Sequence, residues 1–360
     1  MLCEEVTTET PAAHRSGLET NPMANPEKGN QTSITEFILL GFGALQELQL
    51  LLFLLFLVIY IMTVAGNILI IALVVTDQHL HTPMYFFLGN LSCLETCYTS
   101  TILPRMLVGL LTGDRTISFN ECVTQFYFVG SLVATECLLL SVMSYDRYLA
   151  ICNPLHYATR MSHRSYLKLA GGCWIGGFLG NTINMFSISQ LTFCGPNGID
   201  LFFCDLIPLV KLSCNDSHLM EMVTFTLTLL FSLVPFMLTL MSYICIITTI
   251  LRIPSTIGRQ KAFSTCSSHL IVVSIYYATL LIVYMFPTTD ILRNFKKVLS
   301  VVYTVLTPLV NPLIYSLRNK VVQEALRKAC RKLMLHVPLA ESHCSDSSLI
   351  DAHTPPQQEE

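Results

Sequence analysis

Glu95 and Glu136 sit where carboxylates are expensive. Each lies in the middle of a long apolar run, and Asn67 and Asn311 occupy similar places in two other runs. An ionisable group at mid-bilayer is costly, so a residue of this kind signals function by default. Two carboxyl groups brought to one depth must share a proton, bind a cation, or titrate well above the usual range. A sodium ion held by Glu95, Glu136 and Asn311 is one expectation, and two neutral, hydrogen-bonded acids are the other. A second constellation, Asp146-Arg147-Tyr148, stands where an apolar run meets a polar segment. Asp146 can hold Arg147 in an inactive arrangement, and release of the guanidinium would open a groove for a partner helix. The plainer alternative is an interface anchor whose charges snorkel to water. No nucleophile, base and third group occur in register, so an enzyme is not expected. Neither a CxxC pair nor a His/Cys spacing suits zinc, which leaves sodium as the one cofactor to consider.

The elements that must position these residues follow from composition. Charged residues make up 12% of the 360 and hydrophobic ones 52%, with a mean hydropathy of +0.57. A soluble domain carries about 25% charged residues, so the chain reads as a membrane protein. The net charge of −3, without a basic patch, argues against nucleic acid as a partner. A spanning helix needs roughly 20 apolar residues. Seven segments qualify, near 48–75, 84–107, 122–146, 166–188, 222–250, 265–286 and 298–317. The fold class expected is therefore an all-α membrane bundle of seven helices. Pro104, Pro235, Pro287, Pro308 and Pro312 fall in or near these segments, where neighbours can satisfy the freed carbonyls. Glycines 171, 172, 176, 177 and 180 line the fourth segment and suggest close helix packing.

Orientation follows from the basic residues. With the N-terminus outside, thirteen of the 21 Lys and Arg fall on the cytoplasmic side, as the positive-inside rule requires. Residues 1–47 form an acidic, Pro-containing outer tail without the basic start and early apolar core of a signal peptide, and Met23 offers a second start. Asn30-Gln31-Thr32 is a glycosylation sequon in that tail. Asn215-Asp216-Ser217 is a second on the same side, whereas Asn90-Leu91-Ser92 lies within the second span. Residues 318–335 place Val322, Leu326, Ala329 and Leu333 on one helical face and most of their basic residues on the other, so they should lie on anionic membrane lipid. Cys330 there is a candidate for palmitoylation, and 336–360 reads as a disordered cytoplasmic tail. Of fourteen cysteines, Cys93, Cys97, Cys137, Cys173 and Cys245 sit in apolar runs as small packers. Cys122, Cys194, Cys204 and Cys214 flank polar loops and allow three disulfide pairings.

Several motifs together resemble one family. Met143-Ser144-Tyr145-Asp146-Arg147-Tyr148-Leu149-Ala150-Ile151-Cys152 is similar to the MAYDRYVAIC signature of olfactory receptors. The segments from Leu80 to Leu88 (LHTPMYFFL), from Lys261 to Leu270 (KAFSTCSSHL) and from Asn311 to Asn319 (NPLIYSLRN) match the same family, as do Gly66-Asn67 and Ser242-Tyr243. The match runs over about residues 30–335 and looks like the tetrapod-type branch. It departs at Ser144, where Ala is usual, and at Tyr276-Tyr277-Ala278, where Phe-Tyr-Gly is common.

The resemblance implies a rhodopsin-like bundle in the plasma membrane. It also implies an odorant ligand and a heterotrimeric G protein partner of the stimulatory, olfactory type that raises cAMP. It implies pairing of Cys122 with Cys204 and of Cys194 with Cys214. The ligand site it implies lies in the outer half of the bundle. The third span offers Val129, Gly130, Val133 and Ala134, and the fifth offers Leu227, Thr228 and Phe231. The sixth offers Tyr277, Leu280, Leu281 and Tyr284, and the seventh Val301 and Thr304. Val129 stands where amine receptors carry an Asp, so a small, neutral, mostly apolar ligand is expected. Tyr277 and Tyr284 are the expected hydroxyl partners. At the other end Tyr243, His269 and Tyr315 would join Asp146, Arg147 and Tyr148 in the switch. A transporter or channel would instead show internal repeats and a charged pathway, and neither is present in the sequence.

Overall fold

The computed structural model describes residues 35–41, 46–193, 196–214, 218–285 and 290–336. Strand β1 (Glu36–Leu39) leads into helix α1 (Gln49–Thr76), and α2 (Pro83–Thr112) follows. Strand β2 (Thr116–Ser118), α3 (Phe119–Cys152), the short α4 (Pro154–Arg160) and α5 (His163–Ser189) come next. Strand β3 (Gly198–Ile199) and α6 (Leu206–Lys211) form the long loop after α5. Helix α7 (His218–Thr228) runs through a π-helical turn into α8 (Val234–Leu251). Helix α9 (Thr256–Met285) precedes α10 (Asp290–Val301), which passes through a second π turn into α11 (Thr307–Arg318), and α12 (Lys320–His336) closes the described chain.

Local sequence explains the boundaries. Ser118 and Glu121 form a reciprocal capping box that starts α3, satisfying two of the amides orphaned at a helix start. Gly113 ends α2 at φ +76°, a left-handed conformation that glycine adopts without a Cβ penalty. The two π turns, Leu229–Leu233 and Val302–Leu306, each precede a proline, Pro235 and Pro308. A proline ring clashes with the carbonyl four residues back. Those carbonyls belong to Phe231 and Thr304, inside the widened turns, where a π bulge relieves the clash.

Helix α3 is the axis of the bundle and packs against α2, α5, α8 and α9. Its buried face runs from Cys122 to Leu149. Helix α1 is the opposite case. Leu50, Leu51, Leu54, Leu55, Val58 and Ile61 are all exposed, an apolar outer surface that only lipid would cover. Among the described residues four helical stretches are both long and apolar enough to cross a membrane: Gln49–Thr76, Phe119–Cys152, Met222–Leu251 and Arg293–Ile314. His269–Tyr284 is a shorter apolar stretch. Helices α2 and α5 are as long, at 30 and 27 residues, but are diluted by Glu95, Arg105 and a run of Gly, Ser and Asn. Helix α12 buries Val322 and Ala325, and Leu326 and Ala329 pack beside them against Ile70, Leu73 and Leu80, while Arg327, Lys328 and Arg331 stay exposed.

The segment expected as plain tail up to residue 47 contains structure. Strand β1 is the centre of a three-stranded sheet, antiparallel to β2 with Phe37 opposite Ile117, and parallel to β3 with Leu39 opposite Ile199. Phe37 is fully buried and meets Phe193 edge-on at 5.4 Å. The tail therefore helps to cap the bundle. Asn30 and residues 337–360 lie outside the described residues.

Candidate functional site

Beneath this cap lies a cavity of about 100 Å³, comparable to the ~150 Å³ apolar cavity that accepts benzene in another protein. Helix α3 contributes Phe126, Val129, Gly130, Val133, Ala134 and Cys137; α5 contributes Gly180, Asn181 and Asn184. Leu206 comes from the loop helix α6, Leu227, Thr228, Phe231 and Ser232 from α7 and its π turn, and Leu280 and Tyr284 from α9. Nine of the residues expected from the family resemblance are thus brought together: Val129, Gly130, Val133, Ala134, Leu227, Thr228, Phe231, Leu280 and Tyr284.

Four expected residues are not on this wall. Tyr277 is turned away because its hydroxyl donates to the Cys137 carbonyl at 2.9 Å and its ring packs on Phe236. Thr304 is buried, with its hydroxyl on the Ser300 carbonyl. Leu281 and Val301 are half-buried outside the lining. Helix α5 supplies three lining residues the family-based expectation did not contain. A polar pair at Asn181 and Asn184 in an apolar helix is a signal of the same kind as Glu95, set among glycines that pack the helix. The glycines do pack, at three positions: a Cβ at Gly177 would lie 2.7 Å from the Ser131 carbonyl, one at Gly180 would strike the Phe231 ring, and one at Gly176 would lie 3.3 Å from the Leu138 side chain. Gly171 and Gly172 face open space.

The lid is held from several sides. Cys122 and Cys204 form a disulfide, with Cα atoms 5.4 Å apart. Cys214 is also disulfide-bonded, its amide donates to the Thr192 carbonyl, and Phe193 bridges Ser213 beside it. Cys194 lies outside the described residues. Gln125 accepts from the Cys204 amide at 2.9 Å, and Lys297 pairs with Asp200 at 2.6 Å. Asp205 points inward next to the disulfide. It accepts from the Leu206 amide at 2.8 Å and from the Tyr284 hydroxyl, 3.3 Å from each carboxylate oxygen, and Tyr284 also meets Tyr303 at 3.3 Å. Burial pushes the Asp205 carboxyl up to about 6, against the opposing pull of the Leu206 amide and Tyr284.

In mid-bundle, Asn67, Glu95, Glu136 and Asn311 are all buried. Asn311 donates to Glu95 Oε1, and Asn67 donates to the Pro308 carbonyl at 3.1 Å. Glu95 Oε2 and Glu136 Oε1 have no hydrogen-bond partner. The Asn90 sequon is occupied structurally: its side-chain oxygen accepts from Trp174 Nε1 at 3.1 Å, tying α2 to α5.

At the far end, Arg147 donates to Asp146 at 2.9 Å, and Tyr157 of α4 donates to the other Asp146 oxygen at the same distance. Burial and the Asp146 charge push the Tyr157 phenol up. Asp146 has no exposed surface. Tyr148 accepts from Asn153 at 3.2 Å and packs with Tyr243, Ile246, Ile250 and Cys266. Tyr243 and His269 share a hydrogen bond through the His269 Nδ1. The Tyr315 side chain lies outside the described residues. Tyr157 was not anticipated, because its approach to Asp146 depends on how the loop helix folds back.

The Olfactory receptor family model matches residues 56–332. Human olfactory receptor 10R2 is 49% identical over 84% of this chain and 90% of its own length. Human olfactory receptor 11H4 is 52% identical over 82% and 91%, and mouse olfactory receptor 5AP2 is 48% identical over 83% and 94%. Squid rhodopsin, at 16% identity, superposes with a TM-score of 0.66 over 81% of this chain and 83% of its own.

Proposed function

The chain belongs to the olfactory receptor family, and we propose that it binds a small, neutral, mostly apolar odorant in the cavity beneath the cap and activates a stimulatory G protein. It is a receptor rather than an enzyme, a multi-pass plasma-membrane protein of rhodopsin-like fold. One observation carries the ligand reading. The cavity is lined mainly by aliphatic and aromatic side chains, and its lid is fixed by the Cys122–Cys204 disulfide and the Lys297–Asp200 pair. Such a site binds by burying apolar surface, with a few polar atoms fixing orientation. Among the described residues no Lys, Arg, Asp or Glu lines it, so a charged ligand would leave its charge unpaired.

The cavity and the Asp146–Arg147 lock lie at opposite ends of α3. A ligand shifts the bundle only by binding the active arrangement better than the resting one. In the resting arrangement Asp146, itself held by Tyr157, holds Arg147, and the α8–α9 contact at Tyr243 and His269 keeps that end closed. In the active one Arg147 is released toward a G protein on the cytoplasmic side, with the N-terminus outside. The excess of basic residues at the Arg147 end supports that orientation, and coupling to the olfactory-type Gα would raise cAMP.

The mid-bundle pair is a candidate sodium site. The two unpartnered oxygens, Glu95 Oε2 and Glu136 Oε1, are donors of the kind a hard cation takes. Ligand affinity should then depend on sodium and lose that dependence in Glu136→Gln. A dependence that survives the substitution leaves two protonated acids as the account. The main reading is tested by an odorant panel in a cAMP reporter line. An agonist should raise cAMP through the native chain and not through an Arg147→Ala variant present at the surface. Equal responses from both would sink it.

A further inference from the structure

The wall of the cavity carries a one-way chain of amides. The Tyr127 carbonyl can only accept, so Asn181 turns its side-chain nitrogen toward it, at 2.9 Å. The Ser131 hydroxyl already donates to that carbonyl and accepts from the same nitrogen at 3.4 Å. Asn181 Oδ1 therefore faces Asn184, which offers its own nitrogen at 3.3 Å. What remains is Asn184 Oδ1, a buried acceptor with no hydrogen-bond partner. Turning either amide over would set acceptor against acceptor, so the polarity is fixed by the backbone of α3. Gly130 makes room for the chain, since a Cβ there would lie 2.8 Å from the Asn181 amide.

Asn184 belongs to the cavity lining. Two hydroxyls on the wall already have partners. The Ser232 hydroxyl donates to the Thr228 carbonyl and the Tyr284 hydroxyl to Asp205. Thr228 carries a hydroxyl that serves as donor or acceptor alike. Among the lining residues Asn184 Oδ1 is the buried acceptor left with no hydrogen-bond partner. We propose that the cavity selects ligands that donate a hydrogen bond, such as alcohols and phenols, over ethers and ketones of the same size, with Asn184 Oδ1 as the selecting atom. This rests on the reading of the cavity as the odorant site. A site built around a buried polar atom rejects the analogue that leaves it unpaired.

The test uses matched pairs: 2-phenylethanol and its methyl ether, p-cresol and its methyl ether, cyclohexanol and cyclohexanone. Each is measured twice on the full chain, as the concentration that raises Tm of the purified receptor and as potency in the reporter line. The donor of each pair should act at about tenfold lower concentration, the worth of one hydrogen bond near 1.4 kcal/mol. Asn184→Leu should bring the members of each pair near parity, while Thr228→Val should keep the preference. Equal action of both members on the native chain, or a preference that persists in Asn184→Leu, overturns the proposal. If Asn184→Leu fails to reach the membrane, the native-chain comparison decides alone. Stabilisation by both members equally would sink the selection and spare the odorant reading. No effect of any compound in either assay would sink both.

Discussion

Asp205 is a buried acid whose hydrogen-bond partners oppose the effect of its burial. Its carboxyl is pushed up to about 6 by burial, above the usual ~4 for an aspartate. The folded cap therefore holds the proton more tightly than the unfolded chain does. The stability this contributes is complete below pH ~4 and is lost as pH rises through about 6. Lowering pH from 7.5 to 5 should raise the Tm of the receptor, and Asp205→Asn should flatten that part of the profile. A native profile that falls over the same interval would contradict the assignment. At the opposite end Tyr157 shares Asp146 with Arg147. Tyr157→Phe removes one of two donors to a buried carboxylate, a loss of about 1–3 kcal/mol to the resting arrangement. Ligand-independent cAMP should rise several-fold at equal surface expression. Charges such as Glu95, Glu136 and Arg147 were legible in the sequence because nothing else in an apolar run resembles them. Which tyrosine faces the ligand was not: Tyr277 and Tyr284 lie two turns apart on one helix, and only tertiary contacts send one hydroxyl to Cys137 and the other to Asp205.

The helices were legible as elements because length and hydropathy suffice to mark them, and even α2 and α5 exceed what a bilayer demands. What sequence did not give was which of five glycines in α5 touch anything. The structure separates them. A Cβ at Gly177 would meet the Thr135 hydroxyl and the Ser131 carbonyl, whereas one at Gly172 would meet nothing within 4 Å. Overpacking of this kind typically costs about 1–3 kcal/mol. Gly177→Ala should therefore lower Tm and surface expression, and Gly172→Ala should leave both unchanged. Equal behaviour of the two would mean that α5 does not pack on α3 at this face. The π turns before Pro235 and Pro308 were likewise hidden, since the sequence announces the proline but not whether the helix kinks or widens.

Across the whole molecule, the cap and the Arg147 lock act on different quantities. The cap reaches the cavity directly: β1 is pinned between β2 and β3, Phe37 fills the space between Phe119 and Phe193, and Cys204 and Asp205 follow on the same loop. Strand β1 escaped the sequence reading because four residues of polar tail carry too little pattern to mark a strand whose partners lie about 80 and 160 residues away. Phe37→Ala should cost the cap about 3–5 kcal/mol, loosening the lid without touching the far end. Odorant potency should fall, while the maximal response per surface receptor is kept. Arg147→Ala should do the reverse, preserving ligand-induced stabilisation of the purified receptor and abolishing the cAMP response. The two sites share no contacts and are separated by the length of α3, so their effects on ligand-induced stabilisation should add in the double variant. Strong non-additivity there would show that the cap and the lock form one cooperative unit, and that ligand affinity in this chain is set as much by the Arg147 end as by the cavity wall.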